Sequence, residues 1–338
     1  MAEGAEGDVP LLRPAATQRA ATQRAATVRE RVFAARDRRS VMSVQVFQHV
    51  KQAIRNLDPQ DIRKHTERPL RLLLYGESDR EYREMEDYLV PRDLSAAKRA
   101  QVLRLIYRGP EGGGPSAPGD LEIYFDRSHD LDGGQSDVFG FDPSQPGAMV
   151  HRILQRRPDL AVPLALHILP FREEVSRRMV KKVARENALF SLATAVPDII
   201  PFISLPWAMG EFASDTAFLT ANQIRMAFLL AAANDRNVGY HEQRGEIASI
   251  ILGAFGWRAL ARELVGKIPW GGGLIPKAAI AYAGTRVVGL SLERYYRLGK
   301  AYTRSERRLA YEDALERGKH IVGGLIEAFQ QRASERSS

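Results

Sequence analysis

Apolar residues recur at helical spacing through residues 41–57, at Val44, Phe47, Val50 and Ile54, and the pattern stops at Asp58-Pro59, a pair that ends a helix. Beyond it the period changes. Residues 70–75 (LRLLLY) form a short apolar run of the kind buried in a strand; Gly76 follows, then a charged helix to about Leu89. Similar runs stand at 101–107 (QVLRLIY), 121–125 (LEIYF) and 163–169 (PLALHIL), with a Gly- and Pro-rich loop at 109–120 and a helix at 147–156. Strands alternating with helices predict a small α/β layer over about 66–170.

After residue 170 the strand signals stop. Residues 171–186 predict a helix with six cations (Arg172, Arg177, Arg178, Lys181, Lys182 and Arg185) against three Glu. The next 24 residues, 187–210, hold one charge, Asp198. Helices are expected at about 212–234, 242–265, 274–298 and 303–333, with polar or Gly-rich breaks between them. The expected fold class is α+β: a small N-terminal α/β domain, compatible with a degenerate GTPase-like unit, then an all-α helical domain. The expected boundaries are a tail at 1–40, the α/β domain at 41–170, the helical domain at 171–300 and a C-terminal helix at 301–338.

The chain has 338 residues, a net charge of +8 and no cysteine. The length suits about two domains of roughly 150 residues. Lack of cysteine excludes disulfides and thiolate metal sites and fits a reducing compartment. The basic balance favours anionic partners, nucleic acid or anionic lipid. No nucleic-acid motif or aromatic stacking platform is found, which argues against nucleic acid. Residues 1–10 carry Glu3, Glu6 and Asp8 and no apolar core, unlike a secretory signal. Residues 11–40 hold eight Arg against two acids and a repeat, AATQR-AATQR-AATVR, at 15–29. They read as a disordered tail, or as a basic arm on lipid or nucleic acid.

A strand ending in Gly76 and feeding a helix is where a phosphate loop would sit. Such a loop needs G-x-x-x-x-G-K-[ST], because glycine amides cradle the phosphates and the Lys holds the outer charge. The sequence there is GESDREYRE, with no second Gly and no Lys, and Glu77, Asp79 and Glu81 would repel a triphosphate. No N-K-x-D guanine-reading motif occurs. The acidic loop 126–137 (DRSHDLDGGQSD), aligned as a calcium loop on Gly133, places Ser128 first and Phe139 twelfth, and fails at both. Asp130 and Gly133 make only a weak D-x-x-G. The seven His (49, 65, 129, 151, 167, 241, 320) show no ligand spacing, and His167, within an apolar run, reads as core. No G-x-S-x-G elbow exists. No catalytic residue, cofactor site or metal site is therefore assigned.

The stretch 187–210 (NALFSLATAVPDIIPFISLPWAMG) has about the length of a bilayer span. Pro197, Pro201 and Pro206 break its backbone bonding, and Asp198 would cost about 3 kcal/mol at the bilayer centre. It reads as a helical hairpin, dipping into lipid or packed in a bundle. The cations before it have the charge of a segment on the cytoplasmic side of a membrane. The membrane-contact candidates are Arg177, Arg178, Lys181, Lys182, Ile200, Phe202 and Trp207. Ala279, Ala283, Gly284 and Gly289 permit close helix packing in lipid or in a soluble core.

Three blocks carry a family resemblance. Asp215 followed at eight residues by QIRM (Gln223, Arg225 and Met226) resembles the signature helix of the YcjF-like, GTPase-associated domain of unknown function. The block GEIASIILGAFGWRALARELVGKIP at 245–269, with Gly253, Gly256, Arg258, Arg262 and Pro269, resembles its middle helix. AAIAYAGTRVVGLSLERYY at 278–296, with Gly284, Thr285 and Gly289, resembles its last helix. The resemblance covers about 171–300. It implies an α-helical domain of uncharacterised role, fused behind a GTPase domain or found in bacterial inner-membrane proteins. The chain departs from the family in a longer, Pro-rich entry at 197–206 and in lacking a P-loop upstream.

The expectation is a non-enzymatic, membrane-associated helical protein with an N-terminal interaction domain, on the cytoplasmic side of a bacterial inner membrane and contacting its anionic surface. The alternative is a soluble, cytoplasmic regulator or partner of a GTPase system with a degenerate nucleotide-binding domain.

Overall fold

The structure is a computed structural model and describes residue 52 and residues 57–109, 119–125, 137–194, 215–253 and 274–337. The tail at 1–40, nearly all of the helix expected at 41–57, and most of the acidic loop lie outside the described residues. So do Ile200, Phe202, Trp207, Gly256, Arg258, Arg262 and Pro269.

Asp58 opens a helix that the sequence did not suggest. Its carboxylate accepts the Gln60 amide at 2.8 Å and caps α1 (Pro59–Thr66), with Pro59 in the first turn, where its missing N–H costs nothing. β1 (Leu72–Tyr75) follows, then α2 (Asp79–Leu89), capped by Ser78, and α3 (Ala96–Leu103), capped by Ser95. β2 (Ile106–Arg108), β3 (Leu121–Tyr124) and β4 (Val138–Gly140) complete the strands. α4 (Pro146–Arg156) and a 3₁₀ turn lead to α5 (Ala161–His167).

All four strands are parallel, in the order β2-β1-β3-β4. Leu72 pairs with Ile106 on one side and Leu121 on the other; Ile123 pairs with Phe139. Because side chains alternate, Leu72, Leu74, Leu121, Ile123 and Phe139 share one face. Met85, Leu89, Met149, Ile153, Leu164 and Phe171 from the helices join them in one core.

Two expected strands are corrected. Residues 101–103 belong to α3, and only 106–108 are extended, since the Ser95 cap starts a helix that consumes the front of that apolar run. The run at 163–169 is not a strand: residues 163–167 belong to α5, Ile168 is the junction and Leu169 opens α6. Pro163 sits in the first turn of α5, and Pro163, Leu164 and Ala165 are buried on several sides, which erases any period in so short a helix. The fourth strand is instead the three residues of β4.

The C-terminal part is helical: α6 (Leu169–Ala193), α7 (Asp215–Ala233), α8 (residues 244–253), α9 (Leu274–Leu298) and α10 (Arg304–Ser337). α6 runs about 37 Å. It continues to Ala193, so the first seven residues of the stretch 187–210 are helix, and Asn187, Ala188, Phe190, Ser191 and Leu192 are buried in the bundle. α6 and α9 are antiparallel: Arg297 lies 3.4 Å from Glu173 at one end, and Lys277 donates to Thr194 at the other. Ala184, Ala188 and Leu192 pack on Ala278, Tyr282 and Val322. α7 is apolar nearly all round because it is enclosed. The protein is thus α+β, mostly helical, with one small parallel sheet.

Candidate functional site

At the carboxyl end of β1 the neighbouring strands β2 and β3 lead off in opposite directions, the crevice where open α/β sheets bind ligands. Here the start of α2 is already occupied by an anion of the chain itself. The Glu81 carboxylate accepts the Glu77 amide at 2.7 Å, while Ser78 Oγ caps the Glu81 amide at 3.4 Å. This reciprocal cap satisfies donors that a phosphate would otherwise use. Gly76 allows the fold-back: a Cβ there would lie 3.1 Å from that of Glu81. Asp79 is held by Arg108 at 2.6 Å. Beside them the Tyr75 and Tyr124 rings stack at 4.4 Å. Burial and the nearby Glu122 push the Tyr124 hydroxyl up to about 12, so it stays protonated at neutral pH.

Several residues singled out by family resemblance meet inside the helical bundle. Asn187 of α6 donates to Thr285 Oγ1 of α9 at 2.7 Å, and Gln223 of α7 donates to the same oxygen at 3.1 Å. Asn222 donates to Asn187 Oδ1 at 2.8 Å and to Glu186 at 3.2 Å, and Arg225 lies 3.8 Å from Glu186. Asn187, Asn222 and Thr285 are essentially inaccessible. One helical turn along α9, Gly289 brings the backbone against α6 and α7; a Cβ there would sit 2.7 Å from both Val180 methyls and 3.0 Å from Met226 Sδ. Gln223, Thr285, Met226 and Gly289 therefore form a seam joining three helices. Gly284 is buried on α9, and Gly253 lies on α8 outside this seam. Asn187 and Asn222, central to the seam, were missed. Their signal was an amide at an otherwise apolar helix position.

The cations of α6 divide into two sets. Glu174 draws in Arg177 at 2.5 Å and Arg178 at 2.6 Å, and Arg178 also reaches His151. Burial opposes its charge, but these guanidinium bonds prevail and hold its carboxyl below the usual range. Arg172 is turned inward onto the Ala165 and Leu166 carbonyls at the end of α5, and stands 3.6 Å from Asp235, which also binds Lys98 at 2.8 Å. Lys181, Lys182 and Arg185 are exposed and have no carboxylate partner among the described residues. One turn further along, the chain enters the nearly uncharged residues 187–210. Among the described residues no helix is long and apolar enough to cross a membrane, and no group of side chains could hold a metal ion.

No family model, no curated protein and no solved structure matches the chain.

Proposed function

We propose that the chain is a non-enzymatic, membrane-associated protein whose helical domain docks on an anionic surface, the cytoplasmic face of a bacterial inner membrane, while the sheet-bearing N-terminal domain serves as an interaction platform. One observation carries this reading: Lys181, Lys182 and Arg185 stand exposed and unneutralised on α6, about three to four turns before residues 195–210, whose sequence is apolar with three prolines and a single charge, Asp198. Each such cation near anionic lipid contributes about 1 kcal/mol, and buried apolar side chains about 1.5–3 kcal/mol each. The resemblance to YcjF-like domains adds the bacterial membrane setting.

The test is co-sedimentation with phosphatidylglycerol-containing vesicles at about 0.1 M and about 1 M salt, between which the screening length drops from about 10 Å to about 3 Å. Binding that salt weakens without abolishing, and that K181E/K182E/R185E reduces, supports the proposal. Protein that stays in the supernatant at low salt with native helix content refutes it.

A second reading, a partner or regulator of a GTPase system with a degenerate nucleotide domain, draws on the parallel sheet and its ligand crevice. Magnesium-dependent GTP binding by calorimetry, strong enough to displace the Glu81 carboxylate, would favour it over the first.

A further inference from the structure

Between α8, the C-terminal half of α9 and the turn into α10 lies an open groove of about 360 Å³. Ile250, Val287, Val288 and Leu292 form its floor and walls, and Tyr295, Tyr302 and Arg307 stand at its mouth. Its volume falls in the range of small-ligand sites, as does its composition, apolar walls with few polar groups. The turn that borders it is strongly cationic. Lys300, Arg304 and Arg307 are all exposed, and none has a carboxylate partner among the described residues.

Of the neighbouring acids, Glu306 binds Arg294 at 2.6 Å and the Thr303 hydroxyl at 2.9 Å, and Glu293 pairs with Arg297 at 3.2 Å, while Glu246 lines the groove on the α8 side. Arg307 therefore lines the groove with Lys300 and Arg304 beside it in the chain, three positive charges on the α9–α10 side against one carboxylate, Glu246, on the α8 side. Arg304 and Arg307 lie one turn apart on the same side of α10, so both can reach one head group. Leu298, one turn beyond Tyr295 on α9, leaves 59% of its surface in water, which extends the apolar track past the mouth of the groove.

We infer that this groove binds an anionic single-chain amphiphile, its acyl chain along Val287, Val288 and Leu292 and its carboxylate or phosphate head on Arg304 and Arg307. The site is distinct from the α6 surface, since residues of α8, α9 and α10 line it and none of α6 does. It stands whether or not the membrane reading holds.

The experiment uses the full chain and a fluorescent fatty acid, competed with unlabelled oleate. Saturable binding that oleate displaces is expected. Val288→Trp, which fills the slot, should weaken it by about tenfold or more, a cost on the scale of one excluded apolar contact. Arg307→Glu, an exposed change that leaves the core intact, should weaken it comparably, whereas K181E/K182E should not. A parallel arm with phosphatidylglycerol vesicles separates the sources: Val288→Trp lowering vesicle capture identifies a bilayer lipid as donor of the same chemistry, and unchanged capture identifies free amphiphile. Absence of saturable binding overturns the inference. So does binding indifferent to both groove variants, or displacement by an acidic Leu/Glu helical peptide but not by oleate, which would make the groove a protein-docking site.

Discussion

Thr285 accepts two hydrogen bonds from buried amides, so its oxygen matters more than its methyl. Thr285→Val keeps the shape and removes the acceptor. Gln223 then loses its acceptor and Asn187 keeps only the Leu219 carbonyl at 3.5 Å; a buried donor left unsatisfied costs about 1–3 kcal/mol. Chemical denaturation should show a loss of about 2 kcal/mol or more, with Thr285→Ser close to wild type; equal losses for both would mean the methyl packing, not the oxygen, holds the seam. His167 offers a pH-dependent counterpart. It ends α5 half-buried, its Nδ1 without a partner, facing Lys98 of α3, Arg172 of α6 and Asp235 after α7. Burial, then the Lys98 charge, lowers its pKa from the usual 6.5, and Asp235 opposes this only in part. A depressed histidine pKa means that the unfolded chain binds the proton more readily. The neutral ring's contribution is thus whole above about 6.5 and is lost as pH falls toward the lower folded value. Melting temperatures should decline over that window in the wild type and decline less in His167→Gln. Parallel curves would remove His167 from the junction's electrostatics.

At the scale of elements, glycine in α9 and glycine in α10 should respond in opposite directions to the same change. Gly289→Ala places a methyl 2.7 Å from Val180, inside a packed three-helix contact, and should cost about 1–3 kcal/mol even after the better helix propensity of Ala. Gly323→Ala meets nothing within 4 Å and should stabilise by up to about 1 kcal/mol. Two losses would show that Gly323 is covered; two gains would show that α9 can slide away from α6. α2, with its charged residues, and α9, a long stretch between a Gly-rich break and Gly299, were legible in the sequence because those features act locally. The run at 163–169 was not, because three consecutive buried residues, Pro163, Leu164 and Ala165, carry no period that separates helix from strand. β4 is three residues long and gave no pattern to read. The cation row on α6 was visible as composition, but its division into an inward Arg172, a Glu174-bound pair and three free charges depends on tertiary neighbours. The Asn187–Asn222–Thr285 seam joins positions 35 and 98 residues apart, a pairing that no local pattern encodes.

For the whole molecule, the antiparallel arrangement of α6 and α9 sets a geometric test of how the protein would meet a membrane. Residues 195–210 begin where α6 ends, beside Lys277, and the α9–α10 turn lies at the other end, beside Glu173. The two ends are separated by about the length of α6, roughly 37 Å, which exceeds the hydrocarbon thickness of a bilayer. The chain has no cysteine, so a single introduced one can be labelled without background. Thr194→Cys and Ser305→Cys are both exposed positions, one at each end. With an environment-sensitive dye on phosphatidylglycerol vesicles carrying brominated lipids, the dye at residue 194 should blue-shift and be quenched. The dye at residue 305 should stay aqueous if the apolar-segment end meets the surface, since the other end is then carried away from it; the α6 cations, about 14–20 Å from Thr194 along the helix, would then steer the approach. High salt should reduce the fraction bound without moving the depth of the dye at 194, since charge governs approach and apolar burial governs insertion. Quenching at both positions would mean that the bundle lies flat, with the α6 cations and the α9–α10 turn on one plane. Quenching at 305 alone would reverse the orientation and transfer the membrane role to the cationic turn and its groove.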